Sequence, residues 1–351
     1  MPPETRKTYL RPLDIRQGRI DMAHGAGGRA TAQLIDELFA RHLGNEWLAQ
    51  GDDGALLPAP GSGQLVMSCD SHVVSPLFFP GGDIGCLAVH GTINDVAVMG
   101  ATPLWLSAAF ILEEGFGLAE LARIVQSMAQ AARDAGVPIV TGDTKVVERG
   151  KGDGVFITTT GIGVVAPGQA LSGCQAQVGD AILVSGTLGD HGMAILAARE
   201  DFGFTAPIVS DTAALHGLIA AMRASGAQLH VLRDPTRGGL ATTLNEIARQ
   251  SGVGMLLQET ALPIKPAVAA ACEFLGLDPL YVANEGKLVA ICPCADAQHL
   301  LAAMQSHPLG RDAAIIGTVH EDARHFVQMT TCLGGRRMVD WLSGEQLPRI
   351  C

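Results

Sequence analysis

Aromatic residues make up only 4% of this 351-residue sequence, and no stretch approaches the run of about 18 apolar residues that a membrane-spanning helix needs. The opening segment, MPPETRKTYLRPLDIRQG, lacks the apolar core of a secretory signal. Both absences predict a soluble, cytoplasmic protein with no membrane partner. Dense Lys/Arg runs are missing too: 24 basic residues stand against 35 acidic ones, for a net charge of −11. That balance excludes the basic surface on which nucleic-acid binding ordinarily rests, but not a phosphate held on carboxylates through a cation. No Gly-x-x-x-x-Gly-Lys-Ser/Thr string occurs, so a P-loop is excluded. Cys292-Pro293-Cys294 and His299 have no second cysteine pair at zinc-site spacing. In a reducing cytosol the 8 scattered cysteines read as small apolar residues, not disulfides.

What the sequence does hold is a 48% hydrophobic content and 43 glycines. That is enough for about two domains of layered helix and sheet, whose small residues let helices close on strands. In the first half, periodicity predicts helices over 30–42, 84–99 and 118–135, and strands over 64–68 and 154–165. Pro167-Gly168 marks the expected seam. Beyond it, strands are predicted over 181–185, 288–292 and 314–319, and helices over 191–199, 212–224, 240–251 and 295–304. The alternation sets the fold class as α/β (α+β). The expected division is 1–42 for an N-terminal arm, Gly-rich loop and helix, 43–166 for a first domain, 167–321 for a second and 322–351 for a tail.

Aspartates recur where predicted elements begin or end. Asp52 and Asp53 lie between glycines, Asp70 follows a strand, Asp83 precedes a helix, Asn94-Asp95 sit within one, and Asp143 follows the apolar run VPIV. Strand ends are where such folds gather ligands. Mg²⁺ prefers hard oxygen donors and bridges carboxylates to nucleotide phosphates. Lys145, two residues beyond Asp143, offers a point charge for a transferring phosphoryl group. Taken singly, each acid is more often a helix cap or turn residue; their joint order is the stronger signal. Gly25, Gly27 and Gly28 precede a helix, either as a loop whose amides contact phosphate or as a plain flexible connection.

In the second half, Arg233-Asp234-Pro235-Thr236-Arg237-Gly238-Gly239 leads into a helix. Arginine there can clamp a phosphate or acyl oxygen; the plainer reading is Asp-Pro starting a helix beside solvated arginines. Asn284-Glu285-Gly286-Lys287 offers a carboxylate as general base, although a turn glutamate is commoner. Residues 185–192, SGTLGDHG, form a strand-to-helix turn suited to ligand contact or to tight packing. Cys351 ends the string Pro348-Arg349-Ile350-Cys351, beyond Gly334-Gly335 and Gly344. A thiol on such a hinged segment can reach a distant pocket and, once ionised, is a good nucleophile and acyl carrier. Composition alone does not separate that role from an accidental last residue.

The strings HGAGGR, GDDGA, DSHVVSPLFFPGGDIG, NDVAVMGATP, TGDTKVV, VSGTLGDHG, RDPTRGGLA, NEGK and PRIC occur in that order over 21–351. Together they resemble the HypE family of nickel–iron hydrogenase maturation proteins, within the aminoimidazole ribonucleotide synthetase superfamily. The resemblance implies a two-domain, PurM-like architecture whose N-terminal domain builds a homodimer, with ATP between domains under the glycine-rich arm. It places Asp52, Asp70, Asp95 and Asp143 as ligands of Mg²⁺ with ATP, Asp53, Asp83, Asn94, Gly27 and Gly28 near the nucleotide, and Lys145 on phosphate. The implied chemistry is ATP-dependent dehydration of a carbamoyl group carried on Cys351, giving a thiocyanate that supplies cyanide ligands for the hydrogenase iron. Glu285 is the expected base, with Lys145 and Arg233 stabilising charge. A carbamoyltransferase, HypF, and a HypC–HypD complex are the implied partners.

Two alternatives remain at this stage. One is a sibling activity, such as a thiamine-phosphate kinase or selenophosphate synthetase acting on a free metabolite, which gives no role to Cys351. The other is a non-catalytic scaffold or metal chaperone, which gives none to the aspartates.

Overall fold

The structure, a computed structural model, describes residues 9, 11–52, 54–199, 208–344 and 349–351; Asp53 and Pro348 lie outside the described residues. A 3-10 turn at Met22–Gly25 leads into α1 (Arg29–Leu34), a π-helical turn (Ile35–Phe39) and α2 (Ala40–Leu43). Then come β1 (Gln64–His72), the short pair β2 (Phe78–Phe79) and β3 (Gly82–Asp83), α3 (Ile84–Val98), β4 (Thr102–Glu113), α4 (Leu118–Ala135), β5 (Ile139–Val147) and β6 (Val155–Val165). Strands β1, β6, β4 and β5 form one sheet in that order, parallel only between β4 and β5.

This sheet is two-faced, and the period-two pattern of β6 shows why: every second residue from Val155 to Val165 is buried. The inner face presents Leu106, Ala108, Phe110, Leu112 and Ile157 to α3 and α4 in one apolar cluster. Helix α4 brings Leu121, Ile124, Val125 and Met128 at helical spacing and stops at Gly136, whose φ of 67° suits a left-handed cap. The outer face is left open, with Leu65, Met67 and Ile111 at 65%, 70% and 42% exposure.

The second half builds a seven-stranded sheet. Its elements are β7 (Asp180–Val184), α5 (Asp190–Arg199), α6 (His216–Ala224), β8 (Val231–Arg233), α7 (Gly239–Ser251), β9 (Gly254–Gln258), α8 (Pro266–Leu275), β10 (Val289–Pro293), α9 (Ala297–Gln305), β11 (Ala314–His320), β12 (Val327–Thr330) and β13 (Arg336–Met338). The strand order is β13-β12-β9-β11-β7-β10-β8. Central β7 is buried along its whole length, so after Asp180 its residues AILV read as a continuous apolar run. Helix α3 is apolar nearly all round because it is covered twice. One side packs on the first sheet, while Ala97 and Val98 join Leu171, Leu183 and Leu215 of the second half.

Two sequence expectations need correction. Strands β4 and β5 were not predicted, because TPLWLSAAFILE and the run around VPIV are too continuously apolar to show alternation. The tail also begins later than residue 322: β12 and β13 extend the second sheet to Met338, the first of them pairing parallel with β9.

Candidate active site

Three of the conspicuous strings meet at one place between the sheets. Asn284 accepts from Gly189 N through Oδ1 (2.8 Å) and donates through Nδ2 to Pro235 O (2.9 Å), tying NEGK to both the SGTLGDHG turn and the RDPTRGG loop. The next residue, Glu285, is fixed from both ends. Its N–H donates to Asp211 Oδ1 (3.1 Å), and its carbonyl accepts from Asn94 Nδ2 of α3 (3.2 Å). A side chain at Gly286 would overlap the Asp211 carbonyl oxygen, so this position admits only glycine. Asp211 is itself held by Lys287 (3.0 Å) in a buried ion pair that keeps its carboxyl below the usual range.

Glu285 is 4% exposed, and its Oε1 has no hydrogen-bond partner. Burial, reinforced by Asp211, Asp234, Asp70 and Asp95, raises its pKa well above the ordinary carboxyl value. The same crowding pushes Asp234 up to about 7, first by burial and then by the charge of Asp95. Asp95 is raised as well, although Ser68 Oγ donates to its Oδ2 at 2.7 Å. Asp70 comes from β1, where Thr159 is its register partner on β6; that threonine is buried and donates to Ala88 O of α3 (3.0 Å). A Cβ at Gly91 of α3 would lie 3.5 Å from Asp70 Oδ2, which places this carboxylate against the helix. Four acids from both halves of the chain thus face one cleft.

Cys351 enters the same cleft. Val74 and Ile350 form an antiparallel bridge, with Val73 N donating to Cys351 O (3.1 Å) and Ser75 N to Arg349 O (3.2 Å). Ile350 is 4% exposed and joins the apolar cluster of the first sheet. The thiol lies beside Glu285, and burial together with the Glu285 and Asp70 charges drives its pKa upward, with Arg237 acting in the opposite sense. In this position Cys351 is protonated and no free nucleophile; the arrangement suits processing of something already attached to sulfur.

The other predicted residues divide. Asp83 caps α3, accepting from Gly85 N (2.8 Å) and Cys86 N (3.1 Å), and Asn94 has both ends of its amide bonded to the backbone at Ala213, Leu215 and Glu285. The amide of Asn94 is spent on the fold and Asp83 Oδ1 on the helix cap, so those atoms are not free to contact a nucleotide. Arg233 pairs with Glu246, so the arginine whose charge reaches Cys351 is Arg237. Asp143 and Lys145 form an exposed pair at 3.5 Å. The register row of Asp143 runs through Ala109 and Thr158 to Ser71, on the outer face of the sheet, opposite to Asp70, and Lys145 pairs with Ile111 on that same face. The 3-10 turn before Gly27 and Gly28 packs beside them, since Gly25 lies against Val146; nothing stands within 4 Å of where a Cβ on Gly27 or Gly28 would be. Asp52 is exposed in the connection before β1.

Among the described residues no three His, Cys, Asp or Glu side chains are placed to hold a metal together. Mg²⁺ with a nucleotide needs only one or two carboxylates besides phosphate, so the hard oxygens of Asp70 and Asp95 fit it. Sequence reasoning singled out none of Asp234, Arg237, Asp211 and His191 as site residues. The first two stood inside RDPTRGG, whose arginines read either as a clamp or as solvated helix-start residues, and His191 inside SGTLGDHG, read as ligand contact or tight packing, whereas nothing around Asp211 marked it.

Comparison with known proteins gives the family. Residues 51–165 match the N-terminal domain of the AIR synthase related proteins and 177–330 match their C-terminal domain. Carbamoyl dehydratase HypE of Cupriavidus necator is 69% identical over 343 residues, covering 98% of both chains, and that of Escherichia coli K12 is 50% identical over 338 residues, 95% of this chain and 99% of the other. A hydrogenase maturation protein HypE solved with ATP superposes with a TM-score of 0.90 at 52% identity, over 94% of this chain and 99% of that one. HypE from a HypE–HypF complex gives 0.78 at 50% identity, over 88% and 99%. Thiamine monophosphate kinase of Aquifex aeolicus, at 19% identity and a TM-score of 0.57 over 80% of this chain and 91% of that one, shares the fold alone. The chain therefore belongs to the HypE carbamoyl dehydratases, within the AIR synthase related proteins.

Proposed function

We propose that this chain dehydrates a carbamoyl group carried on Cys351, at the expense of ATP, to a thiocyanate. The observation that carries the reading is Cys351 itself, seated in the inter-sheet cleft with its thiol beside Glu285. Overall, the thiocarboxamide oxygen leaves as phosphate taken from ATP, both nitrogen protons are lost, and a C≡N bond remains on sulfur. An amide oxygen is a poor leaving group until phosphorylated, and loss of the N–H protons needs a base. Glu285 is the residue in position to take one. Its raised pKa makes it a stronger base once ionised, and its unpartnered Oε1 is the free acceptor. Arg237 balances negative charge beside the sulfur. Asp70 and Asp95 would hold Mg²⁺, which would neutralise phosphate charge; the Gly27–Gly28 loop, Lys145 and Asp143 lie on the opposite face of the sheet and would serve a nucleotide only across a dimer.

The protein acts as a homodimer through the outer face of the first sheet. Leu65, Met67 and Ile111 would otherwise stay in water, and Asp143 and Lys145 lie on that same face. In the HypE–HypF complex the partner is a HypE; HypF is the donor of the carbamoyl group in this reading, and a HypC–HypD complex the acceptor of cyanide. The reaction takes place in the cytoplasm; no helix among the described residues is long and apolar enough to cross a membrane.

The test is the intact mass of the protein after incubation with a carbamoyltransferase, carbamoyl phosphate and Mg-ATP, beside Cys351→Ala. Gain of one carbamoyl group and then ATP-dependent loss of one water, both missing in the variant, is the expected result. An unmodified Cys351 beside a demonstrably active transferase would return the chain to a kinase-like role on a free metabolite.

A further inference from the structure

Residues 349–351 are gripped by their backbone, and the grip comes from two sides. The first domain supplies backbone donors, Val73 N to Cys351 O and Ser75 N to Arg349 O. The second supplies side chains from one helix. His191 Nε2 donates to Ile350 O (2.7 Å), and Arg199 donates from Nη2 to Arg349 O and from Nε to Ser75 O. Ser210 Oγ donates to His191 Nδ1 (2.8 Å), which fixes the tautomer with its proton on Nε2. His191, Ile195 and Arg199 are spaced four apart on α5, so they form one stripe. Ile195 lies in the same buried cluster as Ile350. Each of the last three carbonyl oxygens therefore has a donor, and Arg199 spans both strands of the bridge.

We infer that the His191–Ile195–Arg199 stripe is a latch: these positioning residues set how much of the time Cys351 occupies the cleft, without touching the reacting group. The docked thiol is half-buried beside Glu285, so a carbamoyl donor reaches it poorly. Loading must then take place with the latch open and dehydration with it closed, so loosening it favours the first and slows the second. This consequence rests on Cys351 being the carrying residue; the latch itself does not.

The test is the rate at which iodoacetamide alkylates Cys351 in the full chain, read by peptide mass spectrometry. The exposed Cys174 and Cys294 serve as reference and the buried Cys272 and Cys292 as reporters of unfolding. Loss of two charge-assisted bonds in Arg199→Ala is expected to raise the rate about tenfold, with Arg199→Lys in between and His191→Ala accelerated as well. Carbamoylation should quicken in the same variants while dehydration of preloaded protein slows, a divergence that a general loss of structure does not produce. A Cys351 rate within about twofold of the parent protein in Arg199→Ala overturns the latch. If Cys272 or Cys292 becomes reactive in that variant, Arg199→Lys decides by the same criterion. Faster alkylation in a protein that no transferase carbamoylates supports the latch and overturns only the carrier reading.

Discussion

Replacing Glu285 by glutamine changes one atom at the centre of the cleft and separates chemistry from architecture. The side chain keeps its volume, and its backbone anchors to Asp211 and Asn94 do not involve the carboxyl. Burial and the surrounding acids already hold this carboxyl toward its protonated form, so a neutral amide loses little folding energy; its N–H groups can donate to the neighbouring carboxylates. The melting temperature should stay level or rise. Dehydration loses its base, and a positioned general base is worth about 10²–10⁴ in rate, or roughly 3–5 kcal/mol of barrier. The assay is single-turnover loss of water from carbamoylated protein after adding Mg-ATP, followed by mass. Carbamoylation itself, which takes place away from Glu285, should proceed normally. In the parent protein the rate should climb with pH as the carboxylate forms, and the variant should lose that slope. A Glu285→Gln protein that dehydrates within about threefold of the parent removes Glu285 as base and moves the search to Asp234.

Three further outcomes follow from the geometry. Gly286→Ala forces a methyl into the Asp211 carbonyl and should cost about 3 kcal/mol or more in chemical denaturation, with loss of dehydration because Glu285 moves with it. His90, half-buried in α3 beside Thr212 (3.1 Å), has its pKa lowered from 6.5 to about 4, mainly by desolvation. The unfolded chain binds that proton first, so stability is full above pH 6.5 and declines as pH falls toward 4, by about 3 kcal/mol at roughly 1.4 kcal/mol per pH unit. His90→Gln should flatten this part of the acid denaturation curve; an unchanged curve refutes the assignment. Met67→Glu on the open sheet face should yield monomers in sedimentation and weaken ATP binding at least tenfold, about 1.4 kcal/mol, whereas a fully dimeric Met67→Glu protein excludes that face as the interface.

Much of the fold was legible where periodicity is clean. Helix α4 begins and ends where predicted because Gly117 and Gly136 bracket an amphipathic pattern. Strand β6 shows its alternation openly, while β4 hides it because Trp105, Ala109 and Ile111 on its open face are apolar too. Site residues were legible as types and not as places. Asp70 and Asp143 look alike in sequence, each at the heart of a short polar string after an apolar run. They end on opposite faces of one sheet, because one pairs in the Thr159 row and the other in the Thr158 row. A register difference of one residue decides that, and single-strand patterns do not carry register between strands. Asn94 misled for a related reason. Its position beside Asp95 suggested a shared ligand, but helical neighbours point about 100° apart, so Asn94 reaches the second domain while Asp95 faces the cleft.

The cleft is assembled against its own electrostatics. Asp70, Asp95, Asp234 and Glu285 are brought together from both domains, and several are pushed toward neutrality by the burial that joins them. A chain selected only for stability would place apolar residues there. Asn94 and Asn284 show what holds the arrangement in place, since each is buried with its amide spent on backbone from the opposite half or the opposite loop. Those bonds fix the acids whether or not a cation is present. Charge that costs stability in the resting cleft becomes favourable once a cation and phosphate enter, so the unpartnered Oε1 of Glu285 marks a deficit that the reacting group fills. The tail follows the same logic. It is held by its backbone and by Ile350, which leaves the sulfur of Cys351 beside Glu285, so a group attached to that sulfur meets the acids directly.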